Sequence, residues 1–394
     1  MLVIVAPGQG AQSPGFLTPW LEDPVFAARL EWLSTVAMLD LAHYGTHGTA
    51  EEIRDTQVAQ PLLVATGLVA ALELFPHPAD AFALIGAVAG HSVGELTAAA
   101  GAGAITAEQA MVLVRERGRA MAAAAAATPT GMTAVLGGDR EEVLATLAQH
   151  GLTAANDNGP GQVVAAGTRE QLEALAAAPP ARARLIPLDV AGAFHTEHMS
   201  PAVERLSSLA RSVSTHDPRT PVISNRDGQV VHHGREVVAR IVGQVANPVR
   251  WDLCLETMAD LGVTGILEVP PAGTLTGIAK RALKGVETFA LKTPDQLDDA
   301  RALCERHGER SHIDHNPTWR MVVAPTKGTF RLDADARENG VLIPGARVGD
   351  IASLRDSTPV AAAHGGRVVE WLVEDGDPVS HGQPLVRLHP EGVA

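Results

Sequence analysis

Leu84-Ile85-Gly86-Ala87-Val88-Ala89-Gly90-His91-Ser92-Val93-Gly94-Glu95 is the stretch on which the fold turns. Its first half, Leu84 to Ala89, is a short apolar run, the pattern of a strand buried on both faces in a parallel sheet. Its second half fits G-x-S-x-G, in which a strand turns sharply into a helix and flanking glycines permit the strained turn that exposes a serine hydroxyl. Glu95 to Ala104 suits the helix that must follow. A Gly-Ser pair without this context is only a turn, and here the context makes Ser92 the candidate nucleophile.

Leu2 to Ala6 is a second such strand, and it runs directly into Pro7-Gly8-Gln9-Gly10-Ala11-Gln12. It lacks the basic start of a signal peptide and reads as buried. Two such strands bring this Gly-rich turn and the elbow to one sheet edge, where the amides of the turn, Gln9 included, and of Val93 are candidate oxyanion donors. Thr106 and Gln109 form a capping box for a helix through Ala127, with Met111, Val114, Gly118 and Met121 on one face. At ~100° per residue Arg117 lies close to that face, while Arg115 and Arg119 point away. A buried guanidinium requires an anionic partner, either an internal salt bridge or the carboxylate of a substrate gripped by two parallel hydrogen bonds.

Residues 131 to 190 change rhythm. They read as strand (Met132 to Leu136), helix (Glu141 to His150), strand (Leu152 to Asn156), strand (Val163 to Ala166), helix (Glu170 to Ala177) and strand (Arg184 to Leu188), a ferredoxin-like βαββαβ order. The α/β pattern resumes with strands at Val222 to Ser224 and Gly265 to Val269, so the small unit is inserted into the larger one. The cleft between them is the natural ligand site. A serine needs a base, commonly histidine. Among 16 histidines His195, in Gly192-Ala193-Phe194-His195, follows an apolar strand, whereas His43, His47, His232 and His233 lie in polar stretches. His91 adjoins Ser92, its side chain projects away, and it reads as structural.

The 394-residue length suits two or three domains, and the 3% aromatic content points to cores of small aliphatic side chains. A formal net charge of −14 argues against general nucleic-acid binding, which needs Lys and Arg against phosphate. Cys254 and Cys304 are too few for a disulfide framework and lack metal-ligand spacing, so no metal is expected and a reducing cytoplasmic setting fits. No run reaches the ~18 uninterrupted apolar residues of a membrane span.

From Cys304 to Pro317 the chain turns polar and reads as a linker, its histidines compositional rather than metal-binding. Short β-like runs follow with an internal quasi-repeat. Ala324, Gly328 and Phe330 have the spacing of Ala362, Gly366 and Val368, and Gly345 and Val348 echo Gly376 and Val379. Two half-units facing each other make a small all-β sandwich.

Assembled in order, the motifs of residues 1–304 resemble malonyl-coenzyme A:acyl carrier protein transacylases of the actinobacterial type. They are Pro7 to Gln12, Gly90 to Glu95, Arg117-Gly118, Gln162-Val163-Val164-Ala165-Ala166-Gly167, Gly192 to His195, Gly243-Gln244-Val245-Ala246-Asn247-Pro248-Val249 and Gly273-Thr274-Leu275-Thr276-Gly277. The resemblance implies malonyl transfer from malonyl-CoA to the thiol of an acyl carrier protein, in fatty-acid or polyketide synthesis. It makes Ser92 the acylated nucleophile, His195 its base, Arg117 the partner of the malonyl carboxylate and Gln9 a member of the oxyanion hole. The Gln244 backbone carbonyl would orient His195 in place of a carboxylate. Asn156 and Asn158 belong to a polar segment near the cleft. Phe194 would disfavour an α-branched acyl group, a methyl being worth only ~1–3 kcal/mol in a pocket. Pro270-Pro271-Ala272-Gly273 departs from the family's more usual Gly-Pro-Gly approach to its loop. The competing reading is a serine hydrolase or thioesterase acting on acyl-CoA, against which Arg117 and the Gln244 segment count.

Residues 318–394 resemble a biotinyl/lipoyl carrier domain, including Trp371 to Gly376 and Gly382-Gln383-Pro384-Leu385. Leu354-Arg355-Asp356 stands where a Met-Lys-Met turn would carry the modified lysine, and Arg355 cannot form the amide, so no covalent biotin or lipoate is expected. The coenzyme A thioester is substrate rather than cofactor. The expected fold class is α/β: an α/β-hydrolase-like parallel sheet domain (1–127 and 191–304) with an inserted ferredoxin-like subdomain (128–190), a linker (305–317) and a C-terminal all-β sandwich (318–394).

Overall fold

A computed structural model of the chain describes residues 1–308, 320–338, 340–353 and 356–389. The chain divides into two compact units, Met1–Ser311 and His312–Ala394.

The first unit is a mixed α/β structure built on a six-stranded sheet. Its strands run in the order Glu287–Ala290, Gly265–Glu268, Leu2–Ala6, Ile85–Gly90, Val222–Ile223, Val230–Val231, parallel except for the last pair. Leu2–Ala6 is buried along its whole length, as helices on both faces of a parallel sheet require. Ala6 pairs with Gly90, so the Pro7–Gln12 turn and the serine elbow leave the sheet side by side. The helix Thr56–Leu74 is long and apolar enough to pass as a membrane span by composition, which the search for an unbroken apolar run did not flag. It is a core helix, with 15 of its 19 residues buried.

A second sheet runs Ala183–Leu188, Thr130–Gly137, Gln162–Thr168, Thr153–Asp157, Val249–Arg250. The first four strands are mutually antiparallel in the spatial order 4-1-3-2 of a βαββαβ unit, and two helices, Arg140–Gln149 and Arg169–Ala177, connect them. The fifth comes from outside the expected span of the inserted unit and pairs parallel to Thr153–Asp157. It is two residues long, too short to carry a period in the sequence.

One boundary needs correction. Residues 305–307, assigned to the linker, end the helix Leu297–His307, whose Ala300, Leu303 and Cys304 are buried at helical spacing. The charges that make this segment look like a connector form its outer face, where Arg306 and His307 both bond Glu287. Glu309, Arg310, His312, Asp314 and His315 lie outside the described residues.

The second unit is two four-stranded sheets, Arg320–Val323, Pro384–His389, Gly366–Trp371, Val341–Leu342 and Ser357–Ala361, Arg347–Ala352, Gly328–Leu332, Pro378–Val379. Exchanging the four strands of the first half for those of the second converts one sheet order into the other, a quasi-twofold relation. The hydrogen bonds follow it: Gly345 N–H to Ala362 O and Ala362 N–H to Ala346 O match Gly382 N–H to Ala324 O and Ala324 N–H to Gln383 O. Gly345 therefore corresponds to Gly382, not to Gly376 as spacing suggested. The unequal offsets of the two sequence matches had signalled the slip. Leu354 and Arg355 lie outside the described residues.

Candidate active site

The elbow is held by exclusion and by one asparagine. Ser92 has φ of 53°, a left-handed conformation that residues with a side chain rarely adopt. A Cβ on Gly90 would overlap the Gly94 carbonyl, and one on Gly94 would overlap the Ala6 carbonyl oxygen, so neither position accepts a side chain. The Ser92 N–H donates to Asn225 Oδ1 at 2.8 Å, and Asn225 Nδ2 donates to the Gly90 carbonyl at 2.8 Å. Asn225 is fully buried at the end of the neighbouring strand. Nothing in the motifs had pointed to it.

Ser92 Oγ lies 2.8 Å from His195 Nε2. His195 Nδ1 lies 2.8 Å from the Gln244 carbonyl oxygen. A carbonyl only accepts, so Nδ1 carries the proton and Nε2 presents its lone pair to the serine. Burial and the Arg117 charge push the His195 pKa down to about 3, which keeps the ring neutral and able to take a proton. Because kcat/KM for acylation reports groups of the free enzyme, it is expected to stay level as pH falls through the ordinary histidine value of 6.5. An acid limb centred near that value would contradict the neutral ring.

Arg117, 2% exposed, is among the largest fully buried side chains and carries its charge into this region. Its Nη1 donates to Gln60 Oε1 at 2.7 Å, and its Nη2 donates to Ser92 Oγ at 3.2 Å and Gln244 Oε1 at 3.0 Å. Its Nε has no hydrogen-bond partner among the described residues. Among the described residues no carboxylate forms an ion pair with it, so the salt-bridge alternative left open by the sequence has no partner here. Glu95 acts on it only at a remove, because the Gln244 amide lies between: Gln244 Nε2 donates to Glu95 Oε2 and to Asn225 Oδ1. Burial raises Glu95 to about 8 and lowers Arg117 to about 10. A desolvated guanidinium held mainly by neutral acceptors retains a strong demand for an anion.

These groups meet at a cavity of about 270 Å³, lined on its polar side by Gln9, Gln60, His91, Ser92, Asn156, Asn158 and His195 and on its apolar side by Met121, Met132, Val164, Val190, Phe194 and Ile278. Arg117 reaches it through Gln60 and Ser92 rather than as part of the wall. The Gln9 side chain turns away to the Arg54 carbonyl at 3.0 Å, leaving only its backbone for an oxyanion role. The amides of Gln9 and Val93 donate to no protein acceptor among the described residues. Asn158 Oδ1 sits 2.8 Å from His91 Nε2, and the His91 ring meets Trp251 edge-on, which pins that histidine beside the site. Asn156 is buried on the cavity wall without a side-chain bond among the described residues. Gln60 and Glu95 join Asn225 as functional residues that sequence reasoning missed.

Comparison with known proteins places this geometry. Residues 3–301 match the acyl transferase domain family. The chain belongs to that family. A malonyl CoA-acyl carrier protein transacylase of Mycobacterium tuberculosis H37Rv is 50% identical over 302 residues, 76% of this chain and 99% of that protein. The crystal structure of MCAT from Mycobacterium tuberculosis superimposes with a TM-score of 0.74 at 50% identity, again covering 76% of this chain and 99% of that one. A solved complex of a type II PKS acyl-carrier protein with its malonyl-transacylase gives 0.69 at 30% identity, covering 76% and 99%. Ser92, Arg117, His195, Asn225 and Gln244 all fall inside the acyl transferase match, and the β sandwich falls outside it.

Proposed function

We propose that this chain transfers a malonyl group from malonyl-CoA to the phosphopantetheine thiol of an acyl carrier protein through an ester on Ser92, supplying extender units for fatty-acid or polyketide synthesis. The observation that carries the reading is the buried Arg117 guanidinium, 3.2 Å from the nucleophile and lacking a carboxylate partner among the described residues. A malonyl carboxylate supplies that partner and places the thioester carbon at Ser92.

His195 Nε2 takes the Ser92 proton as Oγ attacks the thioester carbon. The amides of Gln9 and Val93 hold the oxyanion, and collapse breaks the C–S bond, with the proton passing from His195 to the departing coenzyme A sulfur. The carrier thiol repeats these steps in reverse. It gives its proton to His195, attacks the ester carbon, and Ser92 leaves with the proton restored. Phe194 crowds the α-carbon and favours an unbranched acyl group. Asn156 and Asn158 line the approach.

The test is to mix enzyme, malonyl-CoA and carrier protein and to compare malonyl-carrier with free malonate. Malonate as the dominant product would make the chain a hydrolase. Carrier proteins are usually acidic, as this chain is, so docking requires a local basic face. Lys280, Arg281 and Lys284 are exposed at the end of the helix Thr274–Ala282, whose Thr274, Leu275 and Ile278 line the cavity. Reversing Lys280 and Lys284 to Glu is expected to raise the KM for carrier protein and not for malonyl-CoA, and parallel changes would defeat the assignment.

For the C-terminal unit we propose a biotinyl/lipoyl-like sandwich that stays unmodified. Lys327 is exposed, but its turn corresponds under the quasi-twofold to residues 362–365, not to the sequence position expected to carry the modified lysine. Protein made together with biotin ligase and lipoate ligase is expected to keep its unmodified mass, and an adduct at Lys327 would overturn this. Two buried free thiols agree with a cytoplasmic setting.

A further inference from the structure

A second cavity, of about 210 Å³, lies in the first unit and shares no lining residue with the catalytic one. It is bounded by the long core helix Thr56–Leu74, the helix Pro78–Leu84, the elbow helix Gly94–Gly101 and the central sheet. Its walls, including Phe75, Phe82 and Val88, are apolar apart from Thr97. It opens where the lining changes from buried Thr97 to exposed Gly101, four residues or about 6 Å along the elbow helix. At Gly101 an added Cβ would meet nothing within 4 Å.

A cation stands beside the exposed end of this lining. The exposed Arg219 guanidinium stands 5.3 Å from the centre of the Phe82 ring, and its backbone N–H binds the Ala102 carbonyl at 2.8 Å, next to Gly101. Arg219 has no carboxylate partner among the described residues. An apolar chamber with a cation that lacks a carboxylate partner among the described residues, stacked on its lining Phe82, fits an amphipathic anion entering tail first. Apolar cavities of about 150 Å³ accept a six-carbon ring, so this one accommodates about eight carbons.

We propose that this cavity is a binding site for a free straight-chain carboxylic acid of about eight carbons, its alkyl chain on the back of the elbow helix and its carboxylate at Arg219. The site is separate from the malonyl chemistry and stands or falls independently of it. The test is calorimetric titration of the full chain with octanoate, 1-octanol and butyrate. Octanoate is expected to bind saturably at one site and butyrate not. Gly101→Leu, or Ala100→Leu if the first variant melts early, is expected to weaken octanoate by more than about tenfold, the loss when two methylenes leave apolar contact. Gly101→Leu is expected to retain the malonyl-transfer rate. Arg219→Ala is expected to weaken octanoate several-fold and leave 1-octanol unchanged. Arg117→Ala is expected to leave octanoate binding intact, which separates this site from the catalytic cavity. No saturable binding, or binding that survives both filling variants and disappears with Arg117→Ala, overturns the proposal.

Discussion

Ser92→Ala treated with malonyl-CoA is expected to show only its unmodified mass, whereas the native chain gains one malonyl group. Ser92 is the hydroxyl that contacts the His195 base, and neither cysteine can take the acyl group as a thioester in its place, because both are buried and burial raises their thiols further from the reactive thiolate form. The geometry makes the loss specific. The Ser92 backbone stays pinned by Asn225, and Gly90 and Gly94 still permit the turn, so removing one oxygen leaves the elbow in place. His195→Ala leaves Oγ present without a base, and acylation is expected to slow by about 10²- to 10⁴-fold while a slowly forming adduct remains detectable. Intact-mass time courses on both variants separate attachment point from base. A malonyl adduct on Ser92→Ala would rule out the nucleophile.

The parts of this site that could be read in the sequence are those whose roles are written locally. The elbow is a five-residue pattern between a strand and a helix. Arg117 stood out because the helical period put it near a face otherwise made of Met111, Val114 and Met121, where a charge needs a reason. The βαββαβ order was visible because its strands and helices alternate at short, regular spacing.

Asn225 and Gln60 were not legible for the opposite reason. Asn225 lies 133 residues from Ser92 and Gln60 57 residues from Arg117, and each is brought in by packing of elements that carry no mark of the meeting. Gln244 was expected only for its backbone carbonyl, yet its side chain links Arg117, Glu95 and Asn225. Such links are properties of the assembled core. The misread segment 305–307 shows the converse error, since dense charge on a helix's outer face hid the buried spacing of Ala300, Leu303 and Cys304.

Arg117→Ala is expected to change which acyl group is transferred, not simply how fast. Truncating one partner of a buried, hydrogen-bonded charge pair costs about 2–5 kcal/mol, well over tenfold, and that loss falls only on a substrate that carries a carboxylate. Malonyl transfer is therefore expected to collapse. Acetyl-CoA has no carboxylate to lose, so its transfer is expected to survive, and to rise to the extent that the empty guanidinium had opposed protonation of His195. The fold is expected to hold, because Arg117 makes no ion pair among the described residues and its removal relieves a desolvated cation. Arg117→Lys is not a conservative control, since a point charge lacks the planar two-pronged geometry. The measurement is the ratio of malonyl to acetyl loading for native and variant chains, with melting temperatures taken alongside. A fall in that ratio at unchanged stability supports the carboxylate clamp. An equal loss of both activities would mean that Arg117 serves Ser92 and Gln244 alone, and the assignment of malonyl selectivity to it would be withdrawn.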